Sequence, residues 1–302
     1  MSSPRAASSA AAGVASLRVA RLPSHEEILG YYQDGYYTAW GERFSSLAER
    51  FIYLFRLRRA HDIMALAPRG RVLDVGCGRG IMLALLKRAG WEVVGTQVSK
   101  NAAAYARDTL GIEVIEGDLH AAQFPSGSFN VVTLYQVLEH LPNPSAYLNE
   151  IHRLLKPGGW FILDVPNAGG FEARHFGCAW LGWDPPRHLY HFTPEVLTAA
   201  AERRGFRVVT TRFFSLEYGP FTLLQSSLNA LGCEKNLLFE FLQATSATAQ
   251  RRFRPSQVFA HGILACLLAA PSLLAAALLS GLKMSNNLTV VCRKAQPKPG
   301  SG

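Results

Sequence analysis

The first candidate for chemistry in this sequence is a run of alternating glycines. Gly76, Gly78 and Gly80 follow Asp74, with Cys77 between the first two, in the stretch DVGCGRG. An apolar run typical of a buried strand precedes the stretch and a helical pattern follows it, which places backbone N–H groups and a helix N-terminus at the carboxyl edge of a sheet. The spacing is GxGxG and not the GxGxxG of dinucleotide-binding folds. The stretch predicts a ligand-binding loop; the alternative is a plain strand-to-helix turn.

A second candidate is the loop over residues 180–192, WLGWDPPRHLYHF, which mixes aromatic, proline and titratable residues. This composition suits a lid over an apolar ligand. It contains His188 and His191. The alternative is a rigid loop whose histidines only cap the helix that begins after Thr193.

The elements around these candidates alternate between strand and helix patterns. Short apolar runs bounded by glycine or asparagine predict strands, and apolar residues at three- and four-residue spacing predict helices. This βαβ repetition predicts an α/β fold, a Rossmann-like seven-stranded and mostly parallel sheet with helices on both faces. The predicted strands are Val72–Val75, Glu92–Thr96, Ile112–Glu116, Phe129–Tyr135, Trp160–Val165, Phe206–Phe214 and Leu288–Cys292, and the predicted helices between them are Ile81–Ala89, Asn101–Thr109, Pro144–Leu155 and one that begins after Thr193.

A further helix precedes the first strand. Apolar residues recur at three- and four-residue spacing between Phe44 and Leu57, and the opposite face carries arginines, among them Arg56 and Arg59. We therefore expect residues 26–68 to form a helical N-terminal cap. Residues 1–25 are rich in alanine and serine and are expected to form a flexible tail, with an organellar transit peptide as the alternative. Residues 295–302 are expected to form a second tail.

Composition limits the class of protein. The chain has 302 residues, 49% of them hydrophobic, and 31 Lys plus Arg against 22 Asp plus Glu give a net charge of +9. Its five cysteines form no CxxC pair and no zinc-type cluster, which excludes a disulfide scaffold and favours a reduced compartment. An acidic substrate, an anionic membrane and nucleic acid would each suit the charge. Because the basic residues lie beside aliphatic runs and no RNA-binding motif is present, we predict no nucleic-acid partner.

The chain resembles the class I S-adenosylmethionine-dependent methyltransferases, in a motif style close to the quinone and lipid types. The resemblance covers roughly Arg69 to Phe214 and the terminal strand. Four motifs carry it in order, DVGCGRG, GDL at 117–119, FNVV at 129–132 with LEH at 138–140, and LKPGG at 155–159. It implies that residues 69–215 with 287–294 form a core that binds S-adenosyl-L-methionine.

The resemblance also implies a contact for each part of the cofactor. The glycine loop would wrap the methionine and ribose, Asp118 would accept a hydrogen bond from the adenine amino group, and the Leu119 N–H would bond a ring nitrogen. Gln97 stands where the family places an acid on the ribose hydroxyls. An amide can accept from one hydroxyl and donate to the other, and the alternative is a low-affinity or inactive site. The residues so assigned are Asp74, Gly76, Cys77, Gly78, Gly80, Gln97, Asp118, Leu119 and Tyr135.

Methyl transfer from a sulfonium is an in-line displacement that needs no nucleophilic side chain. A hydroxyl acceptor does need a base or a metal to take its proton. We expect His188 or His191 to be the base, with Gln136 as a third catalytic candidate. Glu139-His140 resembles the end of a Glu-x-x-Glu-His sequence that can hold a divalent ion in quinone-type O-methyltransferases. Gln136 stands at its first glutamate, so we predict no metal.

About seventy residues separate the last two predicted strands, too many for a loop, so residues 216–286 are predicted to form an apolar helical insertion. Its longest apolar run, 258–282, would measure about 37 Å as one straight helix. Because Pro271 divides the run, we expect a helical hairpin that dips into a cytosolic leaflet, with Arg251, Arg252, Arg254 and Lys283 on its flanks. The alternative is a hairpin packed on the sheet or on a second subunit.

These expectations combine into an S-adenosylmethionine-dependent methyltransferase that acts on oxygen of an apolar or lipid-linked small molecule. The enzyme would lie at the inner, cytoplasmic face of a membrane, in peripheral contact through 258–282. One alternative is a methyltransferase of a soluble metabolite or sugar nucleotide whose insertion mediates dimerisation. The other is an inactive cofactor-binding partner subunit, which Gln97 motivates. The sequence leaves the oligomeric state open.

Overall fold

The computed structural model describes residues 7–9, 16–18, 22–23, 27, 30, 46–215, 217–243 and 253–296. Within them, seven strands form one twisted sheet, which confirms the predicted α/β fold. Their boundaries agree with the predicted ones to within about two residues except in the fifth, which starts earlier because the LKPGG turn joins it. The strands are β3 (Arg71–Val75), β4 (Glu92–Gln97), β5 (Glu113–Glu116), β6 (Phe129–Tyr135), β7 (Leu155–Pro166), β9 (Phe206–Arg212) and β10 (Asn287–Lys294).

The sheet has the spatial order β5-β4-β3-β6-β7-β10-β9. The pairs β3–β4, β3–β6, β4–β5 and β6–β7 are parallel, whereas β10 runs antiparallel to both β7 and β9. The chain order reverses at β3, from which it runs first to β4 and later to β6. Ligands bind at such a reversal, outside the carboxyl ends of the strands.

The helices begin where the sequence provides caps. Asn143 Oδ1 accepts the Ala146 N–H at 3.2 Å, and Thr193 Oγ1 accepts the Val196 N–H at 3.4 Å, each followed by a proline in the first turn. The helix predicted over 101–109 has two parts, an α-helix and a π-helical turn (Tyr105–Thr109). The helices up to β9 are α1 (Ser46–Leu66), α2 (Ile81–Arg88), α3 (Lys100–Ala104), α4 (Pro144–Leu154), α5 (Phe171–Phe176) and α6 (Pro194–Glu202).

Both faces of the sheet carry a closely packed core. On one face, Phe161 and Leu197 belong to the cluster that α4 and α6 cover. On the other, Ile63 of α1 packs with Leu83 and Ile112. These side chains are fully or almost fully buried, so the hydrophobic effect fixes α1 and α2 on the sheet and with them the loop that follows β3.

The N-terminal region differs from the expected tail. Two short strands, β1 (Ala7–Ser9) and β2 (Ser16–Arg18), pair with each other, and β2 pairs with β8 (Tyr190–His191) in the segment predicted as a lid. The expectation of a flexible tail over 1–25 is therefore wrong for these strands, because β8 offers them a hydrogen-bonding edge. Of the predicted cap over residues 26–68, the structure describes only residues 27, 30 and 46–68.

The insertion consists of α7 (Gly219–Ala230), α8 (Leu237–Gln243) and α9 (Pro255–Gly281). The predicted hairpin at Pro271 is wrong, because the 27-residue helix α9 continues through that proline without a break. A proline removes a single N–H donor, and the neighbouring alanines and leucines are strong helix formers. By length and composition α9 could cross a membrane. A single crossing would separate β9 from β10, however, and these two strands are hydrogen-bonded neighbours.

Candidate active site

A cavity of about 640 Å³ opens at the carboxyl edge of β3, β4 and β6. The glycine loop and the ends of β4 and β6 form its floor. The segment 180–188 forms one wall, and α1 with the insertion forms the other. The glycine loop, the predicted lid, the N-terminal helix and the insertion, which the sequence analysis singled out, therefore all line one cavity.

The glycine loop keeps its shape through backbone hydrogen bonds and close packing. The N–H groups of Gly76 and Cys77 both donate to the Thr96 carbonyl, at 2.9 and 3.0 Å. Gly76 has a φ of +73°, and a Cβ there would lie 2.6 Å from Val137 Cγ2. A side chain at this position would therefore clash as well as strain the backbone. Gly76, Cys77 and Gly78 line the cavity, whereas Gly80 lies just outside it, at the start of α2.

Asp74, near the end of β3, and Gln97, at the end of β4, both line the cavity. Asp74 Oδ1 accepts the Thr133 hydroxyl at 2.6 Å. Burial raises the pKa of Asp74 to about 6, while the hydrogen bond from Thr133 and the charge of Arg59 act in the opposite direction. Gln97 Oε1 accepts the Ser99 N–H at 3.0 Å, which orients the amide so that its NH₂ group is the donor for a ligand.

Asp118 and Leu119 follow β5 as expected but are placed differently. Asp118 lines the cavity, and its Oδ1 caps the next turn by accepting the Ala121 N–H at 2.9 Å. The Leu119 side chain is fully buried in the core, so only its backbone can contact a ligand.

The sequence analysis missed an ion cluster that lines the cavity beside Tyr135. Arg56 Nη1 and Arg59 Nη2, from α1, each lie 2.7 Å from a carboxylate oxygen of Glu217, which precedes α7. The Arg59 guanidinium also covers the Tyr135 ring at 4.1 Å. Burial by itself would raise the pKa of Glu217, but the charges of Arg56 and Arg59 overcome it and hold that pKa below its usual range. The arginine-rich face of α1 was the available signal, and nothing in the sequence pointed to Glu217.

Gln136 is engaged in a buried polar network. Its Nε2 donates to Asp164 Oδ1 at 2.8 Å and to Asn287 Oδ1 at 3.0 Å. Asn287 Nδ2 in turn donates to the other Asp164 oxygen at 2.8 Å. Both Nε2 hydrogens of Gln136 are therefore committed, and only its carbonyl oxygen can receive a hydrogen bond from a ligand in the cavity that it lines.

The two histidines predicted as bases occupy different places. His188 lines the cavity, and so does His140, whose ring centroid lies 4.7 Å from that of His188. His191 lies on β8 against Trp183, with ring centroids 4.7 Å apart, and does not line the cavity. Burial, with a further contribution from the charge of His188, lowers the pKa of His191 to about 3, so its ring is neutral.

Glu139 is enclosed beside these rings. Its side chain is only 1% exposed, and neither carboxylate oxygen has a hydrogen-bond partner. One ligand atom from each of Glu139, His140 and His188 lies within 4.8 Å of the others. Burial raises the pKa of Glu139 well above its usual value.

The profile of a family described as a methyltransferase domain matches residues 40–211, more than half of the chain. A ubiquinone biosynthesis O-methyltransferase of Paracidovorax citrulli is 32% identical over 204 residues, which are 60% of this chain and 85% of that protein. The protein of the same name from Thiobacillus denitrificans is 30% identical over 205 residues, 60% of this chain and 87% of that protein.

Solved structures share the fold. Phosphoethanolamine N-methyltransferase 2 of Haemonchus contortus, in complex with S-adenosyl-L-methionine, aligns with a TM-score of 0.53 at 18% identity, covering 79% of this chain and 53% of its own. A methyltransferase from Archaeoglobus fulgidus, described as dependent on the same cofactor, aligns with a TM-score of 0.51 at 20% identity, covering 80% of this chain and 93% of its own.

The sheet order, the glycine loop after β3 and the polar ends of β4 and β5 define the class I methyltransferase fold. The chain belongs to the methyltransferase-domain family and is an S-adenosylmethionine-dependent methyltransferase. The expected family, fold, enzyme class and cofactor are confirmed.

Proposed function

We propose that this enzyme transfers a methyl group from S-adenosyl-L-methionine to an oxygen of an apolar, lipid-like small molecule at the cytoplasmic face of a membrane. The relatives named ubiquinone biosynthesis O-methyltransferases, matched over 85–87% of their lengths, support an oxygen acceptor on a molecule with an apolar tail. All five cysteines are free thiols, which supports a reducing compartment.

The cofactor end of the cavity suits S-adenosylmethionine. We assign the ribose and methionine to Asp74, Gln97 and the glycine loop, and the adenine to Asp118 with the Leu119 backbone. In this placement the sulfonium lies near Tyr135 and Gln136, at the end of β6. The carbonyl oxygen of Gln136 can orient an acceptor hydroxyl, which makes it a positioning residue.

The opposite end of the cavity suits an apolar acceptor. Phe55 of α1 and Phe221, Phe239 and Leu242 of the insertion line it. An acceptor oxygen held between this end and the sulfonium attacks the methyl carbon in line. Bound S-adenosylmethionine would supply a methyl group already activated by the positive charge on sulfur, which would keep the electron pair of the S–C bond as the C–O bond formed. His188, rather than His191, lies where the proton of a hydroxyl acceptor can leave.

The observation that carries the membrane assignment is the apolar exposed face of α9, whose buried side holds His261 and Ser272 beside Ala276 and Leu279. Phe259 and Leu274 are each 72% exposed, whereas His261 and Ser272 on the same helix are only 6% and 5% exposed. A helix on a water-facing surface has the reverse arrangement. The exposed apolar side chains of α9 and its end are Phe259, Ile263, Leu267, Leu273, Leu274, Leu278 and Leu282.

Charge and topology support a helix that lies in the interface without crossing it. Arg254 and Lys283, at the two ends of α9, are exposed and suit anionic headgroups. Arg251 and Arg252 lie outside the described residues. Pairing of β9 with β10 keeps both ends of the insertion on one side.

Flotation with vesicles tests this proposal. The full chain is mixed with vesicles of phosphatidylcholine, with and without a third of phosphatidylglycerol, and its bound fraction is measured. We expect binding that rises with the anionic lipid and falls at least tenfold in the double variant Leu267→Glu, Leu274→Glu. The matched control is Val209→Glu, an exposed apolar residue on β9, which should bind like the wild type.

One combination of results would contradict the membrane assignment. If the wild type does not float and its mass in solution is that of a dimer which the double variant abolishes, the exposed face of α9 is a subunit interface. The acceptor is then a soluble molecule, and the membrane assignment is wrong.

A further inference from the structure

We infer that two polar side chains of α7, Ser226 and Asn229, are positioning residues that hold the lid, residues 180–192, in place over the acceptor. The inference rests on the proposed function, in which the lid carries His188 to the acceptor, and it adds how that wall of the cavity is fixed. Neither Ser226 nor Asn229 lines the cavity. Each therefore acts through the backbone of the lid and not on the substrate.

Both side chains bond the start of the lid directly. Ser226 is fully buried, and its Oγ accepts the Leu181 N–H at 3.0 Å. Asn229 Nδ2 donates to the Ala179 carbonyl at 2.9 Å. A buried hydroxyl or amide is costly unless it is hydrogen-bonded, and these two form their bonds between the insertion and the lid. They thereby fix the backbone on both sides of Trp180, which lines the cavity.

The same polar residues connect the lid to the apolar wall of the cavity. Asn229 Nδ2 also donates to Asn236 Oδ1 at 2.8 Å, and Asn229 Oδ1 accepts the Nε2 of Gln225 at 2.9 Å. Gln225 is fully buried, and its Oε1 accepts the Phe239 N–H at 3.0 Å. Phe239 lines the acceptor end of the cavity. One buried network therefore holds the lid and the acceptor wall together, and such a network is rigid when its members are satisfied.

Within the lid, contacts lead from this attachment to His188. A Cβ at Gly182 would overlap the Trp180 ring, so the glycine backbone lies directly against the buried indole. The Gly182 carbonyl accepts a hydrogen bond from His188 Nδ1 at 2.8 Å. The other end of the lid is bonded to the core, where the Leu189 N–H donates to the Glu139 carbonyl at 2.7 Å. The lid thus extends from the insertion to the core, and its position depends on the bonds at both ends.

This arrangement has a kinetic consequence. Without the bonds to α7, the lid occupies other positions for part of the time, and an acceptor binds productively only when the lid is in place. The apparent affinity of a ligand falls by the fraction of the protein in the competent state. Because a saturating acceptor restores that state, the KM for the acceptor should rise while kcat is preserved. A substitution that only reduces the amount of folded protein lowers kcat and leaves KM unchanged.

The test compares three single substitutions in the full chain. Ser226→Ala removes the bond to Leu181, and Asn229→Asp replaces the Nδ2 donor with an oxygen that repels the Ala179 carbonyl. The matched control is Ser227→Ala, the same change at the next residue, whose hydroxyl donates within α7 to the Leu223 carbonyl at 2.7 Å. Hydrogen exchange of the lid is followed by mass spectrometry, and affinity for S-adenosylmethionine by calorimetry. Methylation of a phenol carrying a long alkyl tail is measured with anionic vesicles present.

We expect amide exchange over residues 179–183 to be about tenfold faster in Ser226→Ala and in Asn229→Asp, and unchanged in Ser227→Ala. The KM for the phenol should rise at least about fivefold in the first two variants, with kcat and cofactor affinity within about twofold of the wild type. Cofactor affinity verifies the fold of each variant, and either of the two lid variants is sufficient for the decision.

The inference is overturned if exchange over 179–183 in both lid variants equals that of Ser227→Ala. It is also overturned if exchange accelerates while the KM for the phenol stays constant, since the two side chains would then have a structural role alone. A wild type that transfers no methyl group to the phenol, with exchange as expected, would count against the proposed acceptor and not against the attachment of the lid to α7.

Discussion

At the scale of single residues, the burial of Asp74 carries a penalty in stability. Its carboxylate lies in the ligand cavity beneath the glycine loop, and burial raises its pKa from 3.8 to about 6. A folded-state pKa above the unfolded value means that the unfolded chain ionises first as the pH rises. Stability is therefore lost as the pH rises from about 4 to about 6, by on the order of 3 kcal/mol in all.

This linkage predicts opposite effects of Asp74→Asn on folding and on binding. At pH 7 we expect the variant to be as stable as the wild type or more so, because the ionisation penalty is gone, and to bind S-adenosylmethionine at least tenfold more weakly. For the wild type, cofactor affinity should fall as the pH drops below 6. Urea unfolding and calorimetry between pH 5 and 8 measure both, with Asp108→Asn, an exposed carboxylate, as the control. An affinity that is constant over this range would contradict the assignment of Asp74.

At the scale of elements, the ion cluster joins the N-terminal helix to the insertion. Glu217 bridges Arg56 and Arg59 of α1 from the segment that leads into α7. The three side chains are only 10–26% exposed, so the cluster differs from the Arg58–Asp62 pair on the same helix, where Arg58 is 72% exposed. Removing one member of a buried pair leaves an uncompensated charge, whereas an exposed pair contributes little.

Glu217→Gln should therefore destabilise the protein by roughly 2–4 kcal/mol, and Arg58→Ala by less than about 0.5 kcal/mol. The pKa of Glu217 is held below its ordinary value of 4.5, so the stability it provides is present above that value and is lost as the pH falls through the lowered one. The difference between wild type and Glu217→Gln should consequently shrink in acid. Urea titrations at pH 7 and pH 3.5 measure it. Equal differences at the two pH values would show that Glu217 is not ionised in the folded state.

Some of these elements follow from the local sequence, and others depend on contacts between distant residues. The strands, the caps at Asn143 and Thr193 and the glycine loop follow from neighbouring residues, and the structure confirms them. The hairpin at Pro271 was wrong because helix propensity on both sides outweighs one lost hydrogen bond. Glu217 contacts α1, about 160 residues earlier in the chain, and Glu139 lies beside His188, about 50 residues later. The periodicity of apolar residues does not predict contacts between such distant positions.

At the scale of the whole molecule, the insertion contributes both to the wall of the cavity and to the exposed apolar face of α9. The α7 and α8 side chains Phe221, Phe239 and Leu242 form the apolar wall of the cavity, while α9 exposes its leucines outward. Because α9 packs on both α7 and α8, a bilayer on the outer surface would lie next to the acceptor end of the cavity. An acceptor with a long apolar tail could then pass its headgroup into the cavity while the tail stays in lipid.

This arrangement predicts that the preference for a tail depends on the outer face of α9. With anionic vesicles present, the wild type should show at least a tenfold higher kcat/KM for a phenol carrying a long alkyl tail than for the tail-less phenol, since burial of each methylene in lipid contributes about 0.8 kcal/mol. Leu267→Glu, Leu274→Glu should lose that preference through a higher KM for the tailed acceptor, with kcat/KM for the tail-less one unchanged. If the double variant keeps the full preference, the tail is recognised inside the cavity by residues such as Phe239, and α9 has another role.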